Sequence, residues 1–285
     1  ILGILQEFNQ KFFKDDLIKI HLFVEASRLA MADRAMYIGD PDFVTVPVEK
    51  LLDKQYLKKR SSLIRIDKKI EKALPGKLFL YKKIGGNVDQ SISSTTHFVI
   101  LDNYGNAVSM TSSVESAFGS RIMSGGMMLN NQLTDFSFKA KDSSGKFIYN
   151  SVGPGKRPMS SMTPTMIFGP DGKLFALLGS PGGKAIISYV AQTIVEMIDL
   201  EKGIQDSINY PRYLGARGSV YLEKGTSIVK NKKGLEKLGH KVIIRKHFSG
   251  IHGISLKSKK KKNVIEAGAD PRREGKFDFI YLPND

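Results

Sequence analysis

One stretch in the middle of the chain combines two hydroxyl side chains with the pattern of a buried β-hairpin. Thr95 and Thr96 open an apolar run that ends at Leu101, a turn follows at Asn103–Asn106, and the chain returns through residues 107–113. Turn residues between two such runs predict an antiparallel hairpin. The chain is therefore expected to build a β-sheet core with a hydroxyl group at the leading end of a strand.

A threonine at such a position can act as a nucleophile when its own α-amino group serves as the base. That chemistry requires the peptide bond before Thr95 to be cut, so that an internal residue becomes a terminus. β-Branched residues also favour strands for purely structural reasons. The threonine pair alone is therefore equally typical of an ordinary strand, and other motifs must distinguish the two interpretations.

The composition limits the classes of function. A chain of 285 residues with 41% hydrophobic content can bury the core of one large domain or two small ones. The absence of cysteine excludes disulfides, a thiolate nucleophile and Cys-ligated metal sites. The formal charge of +16 favours anionic partners, but the dense lysine run at 257–262 lies between apolar stretches and has no interleaved aromatic residues. We predict a solvated lysine-rich surface, no specific nucleic-acid binding and no membrane span.

Hydrophobic periodicity predicts a mixture of helices and strands. Helices are expected over residues 1–13, 15–37, 184–198, 203–209 and 226–238, with two short helices within 49–72. Strands are expected over residues 95–101, 107–113, 165–168, 174–178, 240–246, 251–256, 263–267 and 276–282. Residues 75–94 form a Gly- and Ser-containing connector in which the chain could be cut. The first residues have no leader sequence and are typical of the middle of a helix, so we expect a longer parent chain.

A glycine-rich segment lies between a predicted strand and a predicted helix. In this segment, Gly179–Gly183, the backbone N–H groups of Gly182 and Gly183 could approach a negatively charged oxygen, and the helix dipole would assist. A tight strand-to-helix turn would have the same sequence. These two glycines are candidate oxyanion donors.

Two further segments carry polar groups suited to binding a zwitterion. Ser160 and Ser161 lie between prolines and could bind a carboxylate, although an ordinary loop would look similar. Gln132 and Asp135 could accept hydrogen bonds from an ammonium group, or could cap a turn. No histidine has an evident partner, and neither a zinc-binding HExxH spacing nor a serine-hydrolase GxSxG motif occurs. We expect no metal and no cofactor.

The order of these segments resembles that of the γ-glutamyltransferases (γ-glutamyltranspeptidases), a family of the N-terminal-nucleophile hydrolase class. The segments that carry the resemblance are Thr95–His97, Asn130–Phe136, Arg157–Pro164, Gly179–Gly183 and Ala269–Arg272. Upstream, Ala32–Arg34 and Gly39–Phe43 are similar to the end of that family's large subunit.

The resemblance implies self-cleavage between Ser94 and Thr95, with Thr95 as the nucleophile that attacks the γ-carbonyl of glutathione or a related γ-glutamyl compound. Water, an amino acid or a short peptide would then resolve the γ-glutamyl-threonine intermediate. The remaining roles that it implies are hydrogen bonding to the nucleophile by Ser113, oxyanion binding by Gly182 and Gly183, α-carboxylate binding by Ser160 and Ser161, and α-amino binding by Gln132 and Asp135.

Two positions and one missing region depart from the family pattern. Ser113 stands where the family usually has threonine, and the hydroxyl is kept. Glu115 stands where an asparagine near the α-amino group is common, and its negative charge would disfavour the substrate α-carboxylate. The region that supplies an arginine to that carboxylate is absent. An amidase or acylase on the same scaffold, or an inactive truncated remnant, are therefore the alternatives.

For the fold, the resemblance implies an α+β protein with the αββα four-layer sandwich of the N-terminal-nucleophile hydrolases, truncated at the N-terminus. Residues 1–94 would be a mostly helical remnant of the large subunit, and residues 95–285 the small catalytic subunit. Cleavage would give a large/small subunit heterodimer, and a separate chain could supply the missing N-terminal half. The family resemblance also suggests a periplasmic or extracellular location.

Overall fold

The computed structural model describes residues 1–78, 93–142, 145–259 and 262–280. Two compact units make up the chain. The first consists of Ile1–Gln90, Asn131–Ser160 and Tyr213–Lys246, and the second of Ser91–Asn130, Ser161–Arg212 and His247–Asp285. Most of the predicted connector over residues 75–94 lies outside the described residues. The predicted division between residues 94 and 95 concerns a cut in the backbone, and it stays a prediction.

The elements are numbered in chain order. The α-helices are α1 (Leu2–Leu5), α2 (Asp16–Tyr37), α3 (Val48–Leu52), α4 (Lys54–Ser61), α5 (Ile186–Ile198), α6 (Ile204–Asn209) and α7 (Lys232–Lys237). The strands are β1 (Ser93–Leu101), β2 (Ala107–Ser116), β3 (Met123–Ser124), β4 (Met127–Met128), β5 (Thr165–Phe168), β6 (Leu174–Gly179), β7 (Tyr213–Ala216), β8 (Ser219–Glu223), β9 (Lys241–Arg245), β10 (His252–Lys259) and β11 (Lys262–Ala269). Short 3-10 helices cover Gln10–Lys14, Gln132–Asp135, Gly183–Ala185 and Ser227–Asn231.

The first unit is built on α2. This helix begins where predicted, because the Asp15 carboxylate accepts hydrogen bonds from the N–H groups of Leu17 and Ile18 at 2.8 and 3.2 Å. Its buried face packs on a sheet of order β7-β8-β9, in which β8 is antiparallel to β7 and parallel to β9. Phe23 meets Tyr213 edge to face, with 5.4 Å between ring centroids. The packing fixes α2, and with it the side chains of its C-terminal half.

The predicted hairpin is confirmed in the second unit. β1 and β2 are antiparallel, with Thr95 opposite Ser113. The Asp102 carboxylate shapes the turn by accepting hydrogen bonds from the N–H groups of Tyr104 and Asn106 at 2.9 and 2.8 Å. The turn thereby fixes the register that brings two hydroxyl side chains face to face at the start of β1.

A second, antiparallel sheet of order β11-β10-β6-β5 lies beneath the hairpin. β1 and β2 pack on one of its faces, where the Ser109 hydroxyl donates a hydrogen bond to the Leu178 carbonyl at 3.3 Å. Helices α5 and α6 pack against the same sheet, and Gly253 on β10 lies against Ile204 on α6. The unit thus has two stacked sheets and a helical layer, which confirms the predicted α+β class.

One predicted strand is wrong. Residues 276–280, the described part of the expected strand over 276–282, form no strand. Their alternating apolar side chains are only partly buried: Phe277 and Phe279 are half exposed and meet edge to face, with 6.2 Å between ring centroids.

The helical predictions for the first unit were too long. The helix expected over 1–13 stops at Leu5, and the Asn9 side chain accepts a hydrogen bond from the Lys11 N–H at 2.9 Å to start a separate 3-10 turn. The two helices expected within 49–72 end by Ser61.

Two of the longer strands were missed. β7 and β8 are joined by Arg217 and Gly218, both with positive φ (+49° and +73°), as a tight hairpin turn requires. The glycines around this turn interrupt the apolar alternation on which the prediction relied.

Candidate active site

Thr95 lies near the start of β1 with 8% of its surface exposed. Its Oγ1 is 2.9 Å from Oγ of Ser113, the residue opposite it on β2. The pairing register shifts between Ser93 and Thr95, so the strand is irregular just where the bond before Thr95 lies. The predicted nucleophile and its predicted hydroxyl partner are therefore in direct contact.

The hydrogen-bonding capacity of Ser113 is fully used. Its Oγ contacts Thr95, accepts the Glu115 N–H at 2.9 Å, and lies 3.4 Å from the Ser94 carbonyl oxygen, to which it donates. A serine hydroxyl has one proton and two acceptor sites. When that proton is donated to the Ser94 carbonyl, the Thr95 hydroxyl can donate its own proton to Ser113. This arrangement places a proton acceptor on the Thr95 hydroxyl and a proton donor on the carbonyl of the bond before it.

Glu115 is held beside this pair by a strained backbone. Its φ is +73°, a left-handed conformation that costs a residue with a side chain about 1–2 kcal/mol. The hydrogen bond from its N–H to Ser113 offsets part of that cost, and its carboxylate accepts a hydrogen bond from the Ser116 hydroxyl at 2.5 Å. The carboxyl group is buried two residues beyond Ser113.

The glycine-rich segment after β6 turns sharply into α5. Gly182 and Gly183 have φ of +137° and +57°, so their conformations favour glycine. The Ser180 hydroxyl accepts a hydrogen bond from the Gly250 N–H at 3.2 Å and anchors the loop. The 3-10 turn Gly183–Ala185 leads directly into α5, and N–H groups at such a helix start have no intrahelical partner. The loop can thus present backbone donors to an anion.

The predicted zwitterion-binding residues Gln132 and Asp135 lie in the first unit, in one 3-10 turn. The Gln132 amide donates a hydrogen bond to the Asp135 carboxylate. Asn150 ties this turn to the serine segment, because its side chain donates to the Asp135 carbonyl at 2.7 Å and accepts from the Met159 N–H at 2.8 Å. Ser160 follows Met159 directly, so the predicted ammonium contacts and Ser160 share one scaffold.

Arg34 was missed as a site residue in the sequence. Its guanidinium donates to the Ser160 carbonyl at 2.8 Å, and the Asp135 carboxylate lies within electrostatic range. Burial lowers the pKa of Arg34, and Asp135 opposes that shift. The only sequence signal was its place in the Ala32–Arg34 segment; nothing marked Asn150.

The structure brings together Thr95, Ser113 and Glu115 in the second unit, which also contains the Gly182–Gly183 loop. Gln132, Asp135 and Ser160 belong to the first unit, whereas Ser161 begins the next segment of the second. Within the described parts of the chain, no three His, Asp or Glu side chains could hold a metal ion. No helix among the described residues is long and apolar enough to span a membrane.

Comparison with known proteins shows the family. The family model described as gamma-glutamyltranspeptidase matches residues 1–279. The glutathione hydrolase proenzyme of Escherichia coli (strain K12) is 37% identical over 272 residues, which are 90% of this chain and 44% of that protein. The chain thus spans less than half the length of this relative.

Two solved structures show the same fold. The cephalosporin acylase of Bacillus halodurans matches 96% of this chain and 47% of its own chain with a TM-score of 0.81, at 23% identity. A mutant gamma-glutamyltranspeptidase of Helicobacter pylori is 32% identical with a TM-score of 0.57; the match covers 62% of this chain and all of the Helicobacter chain. The predicted fold of the N-terminal-nucleophile hydrolases is confirmed by these likenesses.

Proposed function

The chain belongs to the gamma-glutamyltranspeptidase family, and on this premise we propose that it cleaves itself before Thr95 and then transfers or hydrolyses γ-glutamyl groups. The observation that carries the proposal is the contact of one hydroxyl, that of Ser113, with both Thr95 Oγ1 and the Ser94 carbonyl oxygen. The length of the Helicobacter chain also supports the proposal, because that chain matches in full with 62% of this chain, and residues 95–285 make up about two thirds of this chain.

Self-cleavage follows from this geometry as an acyl shift. Thr95 Oγ1 attacks the carbonyl carbon of Ser94 and gives its proton to Ser113, while Ser113 donates its own proton to the developing oxyanion. The proton on the tetrahedral oxygen then passes to the Thr95 nitrogen as the C–N bond before Thr95 breaks, which restores the carbonyl and leaves the chain held by an ester. Water hydrolyses that ester, which leaves a carboxylate on Ser94 and an amine on Thr95.

Turnover would use the amine that cleavage creates. An α-amino group has a pKa of about 7.7–8.0, so a large fraction is neutral near pH 7.5 and can accept the Thr95 hydroxyl proton. The oxygen attacks the γ-carbonyl of the donor, the γ-amide bond breaks, and the departing amine takes the proton. The N–H groups of Gly182 and Gly183 would bind the oxyanion. Water or an amino acid or peptide then attacks the γ-glutamyl ester.

Glutathione and related γ-glutamyl compounds are the donors we propose. Ser160 and Ser161 would bind the α-carboxylate, and Gln132 and Asp135 the α-ammonium group. Support for these binding roles comes from Asn150, whose side chain hydrogen-bonds both the turn of Asp135 and Met159, the residue before Ser160.

Glu115 favours a second candidate function. A buried carboxylate beside the nucleophile attracts an ammonium group but repels an α-carboxylate. An amidase or acylase whose donors lack the α-carboxylate would suit this charge. Comparison of a γ-glutamyl anilide with a 4-aminobutanoyl anilide, which keeps the amine and lacks the α-carboxylate, tests the effect of Glu115, and a glutaryl anilide, which keeps the carboxylate and lacks the amine, is the third substrate in the comparison.

We further propose that more polypeptide covers the hairpin, supplied by the same protein or by a separate chain. Phe98, Ile100, Val108 and Met110 form one face of the two-stranded sheet and are 39–53% exposed. A two-stranded sheet is only marginally stable alone, and relatives are more than twice as long. Coexpression with a candidate upstream polypeptide should protect these residues from hydrogen exchange; unchanged protection would contradict the proposal.

The test of function is release of the chromogenic amine from a γ-glutamyl anilide by the purified protein. Thr95→Ala should abolish release, and Thr95→Ser, which keeps a hydroxyl and an α-amine, should retain part of it. Turnover that survives Thr95→Ala would refute the mechanism. An inactive, uncut wild-type chain would instead support the interpretation as a remnant.

A further inference from the structure

His97 contacts the strand that leads into the Gly179–Gly183 loop. It follows Thr95 by two positions on β1, so both side chains point to the same face of the hairpin. Only 2% of its surface is exposed. A Cβ atom at Gly179 would lie 2.2–2.6 Å from Cε1, Nδ1 and Nε2 of the imidazole. The ring therefore occupies the space that any side chain at residue 179 would need.

The contact with His97 explains why residue 179 is a glycine. Gly182 and Gly183 have positive φ, but Gly179 lies within β6 and pairs regularly with His252 of β10. A strand position of this kind accepts any residue on conformational grounds, and a glycine there permits a close approach of another group. The missing side chain lets β1 lie directly on the end of β6.

The imidazole is held in one orientation. Its Nδ1 is 2.8 Å from Oγ1 of Thr111, the residue opposite it on β2. Nε2 has no hydrogen-bond partner among the described residues, so the proton of the neutral ring belongs on Nδ1. Burial and the nearby His252 lower the pKa of His97 to about 4. The ring is therefore neutral at pH 7, and it packs on Gly179 without burying a charge. The sequence indicated no partner for His97, and this was wrong.

We propose that His97 is a positioning residue, whose contact with Gly179 sets the separation between Thr95 and the N–H groups of Gly182 and Gly183. The proposal rests on the proposed roles of Thr95 and the loop. Two residues of strand span roughly 7 Å, and Gly182 follows Gly179 by three residues. The contact is thus close to both groups, and oxyanion donors act only when they lie within a few tenths of an ångström of the required place.

The test is a double-mutant cycle. In Gly179→Ala the new Cβ lies 2.2 Å from Cε1, whereas ordinary contacts begin at 3.4 Å, so β1 and β6 must separate by about 1.2 Å. A misplacement of this size can cost about 100-fold in rate, and we expect that loss in kcat for γ-glutamyl anilide hydrolysis with KM within about threefold. His97→Ala alone should cost about tenfold. Combining it with Gly179→Ala should recover at least about tenfold, because the methyl group enters the vacated space.

Gly153→Ala is the matched control, since its Cβ would meet no atom closer than 3.8 Å and should leave kcat unchanged. Additive losses in the cycle would overturn the role of His97. Crystal structures give a readout that does not need activity: the distance between the Cα atoms of residues 95 and 182 should grow by about 1 Å in Gly179→Ala. An unchanged distance would also overturn the proposal. A wild-type chain without turnover, or turnover that survives Thr95→Ala, would overturn the proposed function instead.

Discussion

Removing the Ser113 hydroxyl should slow self-cleavage more than any other single-atom change near Thr95. Ser113→Ala deletes the acceptor for the Thr95 proton and the donor to the Ser94 carbonyl, at 2.9 and 3.4 Å. A hydrogen bond to a charged group contributes about 1.5–3 kcal/mol, and each 1.36 kcal/mol is tenfold in rate. Because the bond to Ser94 is long in the ground state, we take the lower half of that range. The expected slowing is about 10- to 50-fold.

Cleavage is best timed from refolding of denatured chain, with the fraction cut measured by mass spectrometry. Ser113→Thr keeps the hydroxyl and should cleave within about threefold of wild type. Ser109→Ala is the matched control, because it lies on the same face of β2 and loses one hydrogen bond, to the Leu178 carbonyl at 3.3 Å. Since Ser113→Ala leaves the Glu115 N–H without its acceptor, folding must be verified at the assay temperature. If Ser113→Ala is cleaved at the same rate as Ser109→Ala, the Ser113 hydroxyl has no special role in self-cleavage.

Three other predictions concern recognition and stability. Arg34→Met should raise KM for γ-glutamyl anilide about tenfold with little change in kcat, because the guanidinium holds the Ser160 carbonyl at 2.8 Å; an unchanged KM would contradict this. Hydrogen bonds from Arg157 hold the pKa of Asp40 well below its usual range, so the stability they provide is present above about pH 4 and lost as the pH falls further; urea unfolding of Arg157→Gln should show a destabilisation that shrinks over that range. His97 has a pKa of about 4 in the fold against about 6.5 unfolded, so wild type should lose about 3 kcal/mol between pH 6.5 and 4 that His97→Gln does not lose. If the free energy of unfolding changes with pH in the same way for wild type and His97→Gln, the prediction for His97 is wrong.

The hairpin could be predicted because its information is local. Alternating side chains defined the two strands, and the Asn103–Asn106 turn fixed their register, which sets Thr95 opposite Ser113. The same locality explains the failure at 276–282, where alternation was present but the described residues 276–280 form no strand. Alternating apolar residues form a strand only where another strand is placed to hydrogen-bond with that segment.

The unpredicted parts of the site depend on distant contacts. Arg34 contacts the Ser160 carbonyl, which is 126 positions away in the sequence. Asn150 joins the turn of Asp135 to the segment of Met159, and no pattern in either stretch of sequence predicts this link. The left-handed backbone of Glu115 is similarly invisible, because a glutamate there gives no sign of positive φ. Gly179 looked like one more loop glycine, and only the position of His97 explains it.

The most direct test of self-cleavage before Thr95 is the intact mass of the purified protein after incubation at neutral pH. Self-cleavage predicts two fragments, residues 1–94 and 95–285, the second with Thr95 at its amino terminus, and a single uncut species for Thr95→Ala. A wild-type chain that stays at full length, or one that is cut at another bond, would contradict the assignment of Thr95 as the nucleophile.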